Sequence, residues 1–328
     1  MHRVLAVVLL AACGSSPHDG SPDGSTPGDG TGSGSGIYDA PMNAMARTVF
    51  VIPLENKSDA AIYGNTTNAP YINQLMTTSA YAMNMNDELP QLNSEPHYIW
   101  MEAGTNELPD HTFSTDSDTS TTNSSNSADH LATQLTTAGR TWTAYQEGIT
   151  TGSCPIASSG FYATKHQPFT FFRDISGTPP SAANAGCGAH FKAIGELAAD
   201  LAAGTVPNYA FVTPNLCNDM HGALGCPSGL GSTQNIAAGD AWLAANLPPL
   251  IAYTHTHDAV IFLTWDEGDT NNKVPFIAIG DHVVAGAVTD AYTHSAQLKT
   301  VEELLDVPVL ATVMASPDFS AMFTPGYL

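Results

Sequence analysis

Basic residues are scarce in this sequence. The 328-residue chain carries nine Lys and Arg against 31 Asp and Glu, a formal net charge of −22 at pH 7. Holding a phosphate backbone takes clustered positive charge, so a nucleic-acid partner is not expected. An anionic substrate would be repelled at long range unless a metal ion or a local set of donors reverses the field where it binds. Long apolar runs are missing too: past the amino terminus no segment is long and apolar enough to span a bilayer. There is no C-x-x-C spacing among the five cysteines, which argues against a zinc site built from them. No internal repeat is visible. What remains is ordinary globular composition, 43% hydrophobic, and enough chain for one large α/β domain.

The amino terminus reads as targeting sequence. Arg3 precedes the short apolar run "VLAVVLLAA", and "LAAC" (10–13) closes it. This resembles a bacterial lipobox, with residues 1–12 as a lipoprotein signal peptide and Cys13 as the lipidated first residue of the mature chain. A plain secretory signal with an incidental cysteine is the alternative. Two acyl chains on Cys13 would suffice for stable anchoring, so the expectation is an exported lipoprotein held at a membrane in the cell envelope or at the cell surface. Residues 13–45, dominated by Gly, Ser, Pro and Asp, have little to bury and read as a disordered tether. The folded domain is expected over 46–328. In an exported, oxidising setting the remaining four cysteines can form disulfides in three pairings. Cys217–Cys226 is the local choice, and Cys154–Cys187 would then close the middle of the chain.

Apolar runs of strand type recur at 48–54, 97–102, 141–145, 208–213, 258–265 and 274–279. Helical stretches are expected at 127–139, 191–204, 237–252 (interrupted by its prolines) and 295–307. A long polar loop begins at 112. Strands alternating with helices predict an α/β fold with a mostly parallel central sheet covered by helices on both faces. In such sheets ligands bind outside the carboxyl ends of the strands. The run "TVFVIPL" ends in Glu55-Asn56 and "AVIFLTW" ends in Asp266-Glu267, both where that rule puts a site. Asp219 and His221 follow the strand "YAFV", and His294 opens the last helix. Carboxylate, amide and imidazole groups brought from separated parts of the chain suit a divalent cation of undetermined identity. Ser94 is the candidate nucleophile, because a nearby cation stabilises an alkoxide at neutral pH.

In order, the blocks "ENKSDAAIYGNTTNAPYINQL", "SEPHYIWMEAGTN", "AYQEG", "SSGFYATKHQPFTFF", "NYAFVTPNLCNDMH", "GDAWLAANLP", "FLTWDEGD" and "YTHSAQLKTVEELL" resemble the phosphoesterase family. That family contains bacterial acid phosphatases and phospholipases C and belongs to the alkaline-phosphatase-like superfamily. The resemblance covers nearly all of 48–328. It implies that Glu55, Asn56, Asp266 and Glu267 hold metal and that Ser94 attacks phosphorus. It implies further that Asp219, His221 and His294 line the phosphate or a second cation, and that His166 in "KHQPF" contacts phosphate or leaving group. The expected activity is metal-assisted hydrolysis of a phosphate ester through a phosphoserine, of acid-phosphatase type, with His221 or His294 as acid and base. A phospholipase C acting on lipid headgroups, or an impaired surface-anchored binding protein of the same fold, is the alternative. Relatives often read His-Pro-Ser-x-Pro-Asn-Tyr at the nucleophile, whereas this chain reads Leu92-Asn93-Ser94-Glu95-Pro96-His97-Tyr98, so substrate contacts or rate are expected to differ.

Overall fold

The computed structural model describes residues 47–328. The signal segment, Cys13 and the tether lie outside the described residues. Eight strands form the main sheet: β1 (Thr48–Leu54), β2 (Ala80–Ala82), β3 (Trp142–Gln146), β4 (Phe191–Ala193), β5 (Tyr209–Thr213), β6 (Ala259–Trp265), β7 (Phe276–Ile279) and β8 (Gly286–Val288). Their order is β8-β2-β7-β6-β1-β5-β3-β4. Only β7 runs antiparallel to its neighbours; the other pairs are parallel. Helices α1 (Ser94–Ala103), α2 (Leu131–Thr137), α3 (Leu197–Ala203), α4 (Ser232–Thr254) and α5 (His294–Leu304) flank it.

The centre of the sheet is β1 between β5 and β6, and every residue of β1 and β6 is buried. A strand buried on both faces shows no polar alternation, which is why these two read as continuous apolar runs. Each buried Val, Ile, Leu or Phe contributes about 1.5–3 kcal/mol, so the register of this pair is strongly fixed. That register matches Thr48 with Ala259 and Leu54 with Trp265. It therefore sets Glu55 beside Asp266 where both strands leave the sheet.

Residues 191–193, expected to open a helix, form strand β4, and the helix begins only at Leu197. Two further elements differ from the sequence expectation. Residues 97–102 are not a strand but lie inside α1. Asn93 precedes this helix in extended conformation, Pro96 sits in its first turn, and Gly104 ends it in the left-handed region at φ 65°, its N–H bonded to Trp100 O. Pro is tolerated in a first turn and Gly is favoured just past the last. Nine of the ten α1 residues are buried, so the one-sided apolar stripe that marks a surface helix is absent. The second of these two is α4, which runs unbroken through Pro248 and Pro249. Ile236, Leu243, Leu247 and Leu250 bury a continuous helical stripe, and their burial outweighs the roughly 3 kcal/mol cost of an interior proline. Strands β2, β4 and β8, of three residues each, are too short to leave a pattern.

The cysteines are joined Cys154–Cys187 and Cys217–Cys226. The second bridge closes the loop between β5 and α4, on which His221 sits.

Candidate active site

Glu55, the first residue past β1, is fully buried. Its N–H is bonded to Asp219 O, and Asp266 N–H is bonded in turn to Leu54 O. The Glu55 carboxylate accepts from Ser94 Oγ through Oε2 (3.1 Å) and from Tyr98 OH through Oε1. Ser94 opens α1 and Tyr98 stands one turn further along, so a single helix face presents both hydroxyls to one carboxylate. The helix amino terminus also directs its positive dipole end at Ser94, which favours negative charge there.

His166, in the short 3-10 turn Thr164–His166, stacks on Tyr98 with ring centroids 5.5 Å apart. Its Nδ1 lies 3.1 Å from Asp219 Oδ2 and its Nε2 lies 3.4 Å from Glu55 Oε1. Nε2 is buried and makes no hydrogen bond. Burial, then the charges of Lys165 and His221, push the His166 pKa well down, so the ring is neutral with a free lone pair. Asp219 Oδ1 accepts the His221 N–H (2.8 Å). His221 Nδ1 bonds Gly222 O (2.7 Å), which leaves Nε2 as its acceptor nitrogen. Ligand atoms of Glu55, His166 and His221 all lie within 4.8 Å of one another. One carboxylate oxygen and two imidazole nitrogens form a candidate binding cluster for a divalent cation.

Asn56 and Asp266 adjoin this cluster. Asn56 has φ 45°, a left-handed conformation that Asn adopts more readily than most residues. Its N–H bonds Asp266 Oδ1 (3.0 Å). Asn56 Oδ1 and Asp266 Oδ2 are buried without partners. Unpartnered buried oxygens are costly in a folded protein, and a cation is the group that would satisfy them. The carboxylates register the same deficit: burial, then Asp266 and Asp219, push the Glu55 pKa well up. Burial pushes Asp219 up to about 8, and burial followed by Asp266 pushes Glu267 up to about 8. A bound cation would reverse these shifts.

Not every expected residue sits in the cluster. Asp219 lies outside the Glu55–His166–His221 group: its Oδ2 faces the His166 ring and its Oδ1 accepts the His221 backbone N–H, so it positions both residues. Its contact with the His166 ring is the carboxylate–histidine arrangement that fixes a ligand's tautomer and orientation, while the His221 ring is fixed by Gly222 O. Glu267 is half-buried beside Asp266 and outside the Glu55–His166–His221 group. His294 is fully buried, not solvated, and both ring nitrogens are committed: Nε2 to Trp265 O (2.8 Å) and Nδ1 to Glu88 Oε2 (3.2 Å). Burial alone would raise Glu88, but the His294 contacts outweigh it and hold Glu88 at about 2. The pair is therefore a fastening of α5, with no nitrogen left for acid–base work or for a ligand.

Sequence reasoning missed three contributors. Tyr98 could have been found from its i+4 spacing to Ser94, had 97–102 been read as helix. Lys165 pairs with Asp116, and its positive charge acts on Glu55, Asp266 and Asp219 of this acidic site. Asp116 also accepts the Glu95 N–H (3.1 Å), tying the polar loop after 112 to the start of α1. His97 bonds Asp87 Oδ1 (2.8 Å) and Asn93 O (2.7 Å). Burial opposes its protonation, yet Asp87 and Asp266 hold it at about 9, so the departure noted at this position puts positive charge next to the carboxylates.

The architecture is a mostly parallel α/β sheet with a buried carboxylate–imidazole cluster, a candidate divalent-cation site, at the carboxyl ends of its central strands. The Phosphoesterase family model matches residues 90–308, and the chain belongs to that family. The chain is 29% identical over 275 residues to a phosphatidylinositol-3-phosphatase of Mycobacterium tuberculosis, covering 83% of this chain and 81% of that protein. It is 28% identical to a probable acid phosphatase of Kluyveromyces lactis over 66% of this chain and about half (49%) of that protein. The fold is similar to that of a protein in the alkaline phosphatase superfamily from Vibrio parahaemolyticus, with TM-score 0.51 and 12% identity over 84% of this chain and 70% of that one. The described residues thus form a phosphoesterase-family domain whose fold is similar to that of the alkaline phosphatase superfamily protein.

Proposed function

We propose that the protein is a metal-dependent phosphomonoesterase that works through a phosphoserine at Ser94. The observation that carries this reading is the bond from Ser94 Oγ to Glu55 Oε2, which joins the candidate nucleophile to the candidate cation cluster. Glu55, His166 and His221 would hold the cation, with Asn56 Oδ1 and Asp266 Oδ2 as further free donors beside them. When bound, the cation would polarise a phosphoryl oxygen and lower the pKa of the serine hydroxyl.

The protein's own groups supply the rest. Ser94 presents its hydroxyl hydrogen to Glu55, so its proton has an acceptor as Oγ bonds to phosphorus and the ester P–O bond breaks, the leaving oxygen taking a proton from water to depart as the alcohol. Tyr98 holds the other oxygen of Glu55 and stacks on His166, which fixes both side chains before substrate arrives. Asp219 orients His166 and His221. Lys165 supplies a positive charge that offsets the repulsion a phosphate meets in an acidic protein. Water then cleaves the phosphoserine and returns Ser94.

Likeness to an acid phosphatase and to a phosphatidylinositol-3-phosphatase supports a phosphomonoester substrate, and the second favours a lipid one. Phospholipase C activity is the second reading within the same family. The two disulfides support an oxidising, extracytoplasmic location, and anchoring through Cys13 is part of the same proposal. Ser94→Ala tests the mechanism. Phosphate release from p-nitrophenyl phosphate should fall by about 10³-fold or more while the circular dichroism spectrum is unchanged. Unaltered turnover would remove Ser94 from the role. Comparing release of phosphate with release of phosphocholine separates the two substrate readings.

A further inference from the structure

We propose that the disulfide-closed loop Cys217–Cys226, together with Phe161 and Leu230, is a surface by which the protein meets a lipid bilayer that presents its substrate. The proposal rests on the phosphoester reading of the neighbouring site and adds to it where the substrate is met.

Seven large apolar side chains are exposed among the described residues, and three of them, Phe161, Leu224 and Leu230, belong to this part of the chain. Leu224 is 89% exposed and Leu230 64%. Phe161 and the loop that carries Leu224 adjoin. Phe161 O accepts the Leu216 N–H (3.0 Å), and a Cβ placed on Gly225 would lie 3.6 Å from the Phe161 ring. The loop that carries Leu224 therefore lies against Phe161 at Gly225, and Leu224 is three residues from His221 of the candidate cluster. An apolar projection at the mouth of a phosphate site calls for an apolar neighbour.

The loop is also built to hold its shape. Cys217–Cys226 closes it, and Asn235 Nδ2 donates to His221 O (2.9 Å). Gly222, at φ 80°, packs so closely on Asn235 that a Cβ there would lie 2.1 Å from Nδ2. The backbone that carries Leu224 is thereby tied down on both sides of it.

Charge selects the occupant. The chain has 31 acidic residues, yet none of 220–239 and none of 148–164 is Asp, Glu, Lys or Arg. Carboxylates meet this sector only from outside it: Asp118 accepts from Ser158, Glu196 from the Thr151 hydroxyl and Asp219 from the His221 backbone N–H. A protein of net charge −22 is repelled by other acidic surfaces. An uncharged sector with an apolar tip is where it can approach a bilayer without that cost. It has no charges with which to select a protein partner, and a second copy would bring a second charge of the same sign.

The test uses the full chain and the double variant Leu224→Ser/Leu230→Ser, neither residue being part of the catalytic machinery. Turnover is measured on p-nitrophenyl phosphate in solution and on phosphatidic acid in phosphatidylcholine vesicles. The variant should stay within about two-fold of wild type on the soluble ester and fall about ten-fold or more on the vesicles. Equal turnover on vesicles would overturn the proposal. The amino-terminal segment is the same in both proteins, so it drops out of the ratio. A second arm is independent of catalysis: Leu224→Trp fluorescence above the wild-type background is read with dibrominated phosphatidylcholine vesicles. Quenching supports the contact, and its absence overturns it. If wild type hydrolyses neither ester, the phosphoester reading fails while this arm still decides the lipid contact.

Discussion

His166 and His130 are both buried, both lie between two carboxylates and both stack on an aromatic ring, yet the chain uses them in opposite ways. His130 Nδ1 bonds Glu102 Oε1 (3.0 Å), its Nε2 bonds Asp174 Oδ2 (3.0 Å), and Phe172 covers its face. Burial alone would push its pKa down, but the Asp174 and Glu102 bonds win and hold it at about 9. His130 is a cation with every donor used, fastening the start of α2 to α1 and to the segment around Asp174. His166 keeps one nitrogen unbonded against Glu55, and burial prevails there, so it stays neutral. The difference lies in the carboxylates: at His130 both face the ring, whereas Glu55 is engaged by Ser94 and Tyr98. Composition alone does not distinguish a ligand from a fastening; the unspent lone pair does.

Breaking each cluster should therefore produce different losses. Glu55→Ala or His166→Ala should reduce turnover of p-nitrophenyl phosphate by about 100-fold or more, with a melting temperature near that of wild type. His130→Ala should do the reverse. It leaves Glu102 buried without its partner, which costs about 3–5 kcal/mol and lowers the melting temperature by about 10 °C, while turnover per folded molecule holds. A thermally silent His130→Ala would mean that the fastening contributes nothing.

Asp219→Asn sharpens the contrast further. It keeps the size of the side chain but weakens its hold on His166 and His221, and metal affinity should fall about 10–100-fold, as read by isothermal titration. The smallest effect is in pH. The folded-state pKa of His130 lies above its ordinary value of about 6.5, so its stabilisation is complete below that value and is lost as pH rises through about 9. Melting temperature should drop a few °C between pH 7 and 9.5 from this group. His130→Gln should flatten that part of the slope, and an unchanged slope would place the titration elsewhere.

The parts of the fold that were legible in the sequence are those whose burial is uniform along a strand. β1 and β6 announce themselves as unbroken apolar runs, and the polar residues at their ends mark the site because a parallel sheet opens there. The helix carrying Ser94 was illegible for a related reason: α1 is buried nearly all round, so its aromatic residues read as a strand. That misreading hid Tyr98, which only a helix brings alongside Ser94. His294 shows a different limit. Its position at a helix start is plain in the sequence, but nothing local reveals that Trp265 O and Glu88 have already taken both nitrogens. Lys165 was equally hidden, since its role depends on Asp116 and on the carboxylates it faces across the fold.

The central claim is that Glu55, His166 and His221 make a cation site on which turnover depends. Calorimetric titration of metal-stripped wild type and His166→Ala with a divalent cation series, under identical conditions, tests it most directly. The expected result is saturable binding by wild type and affinity lower by about 100-fold or more in the variant. Equal affinity in the two proteins would contradict the claim and move the cation away from His166.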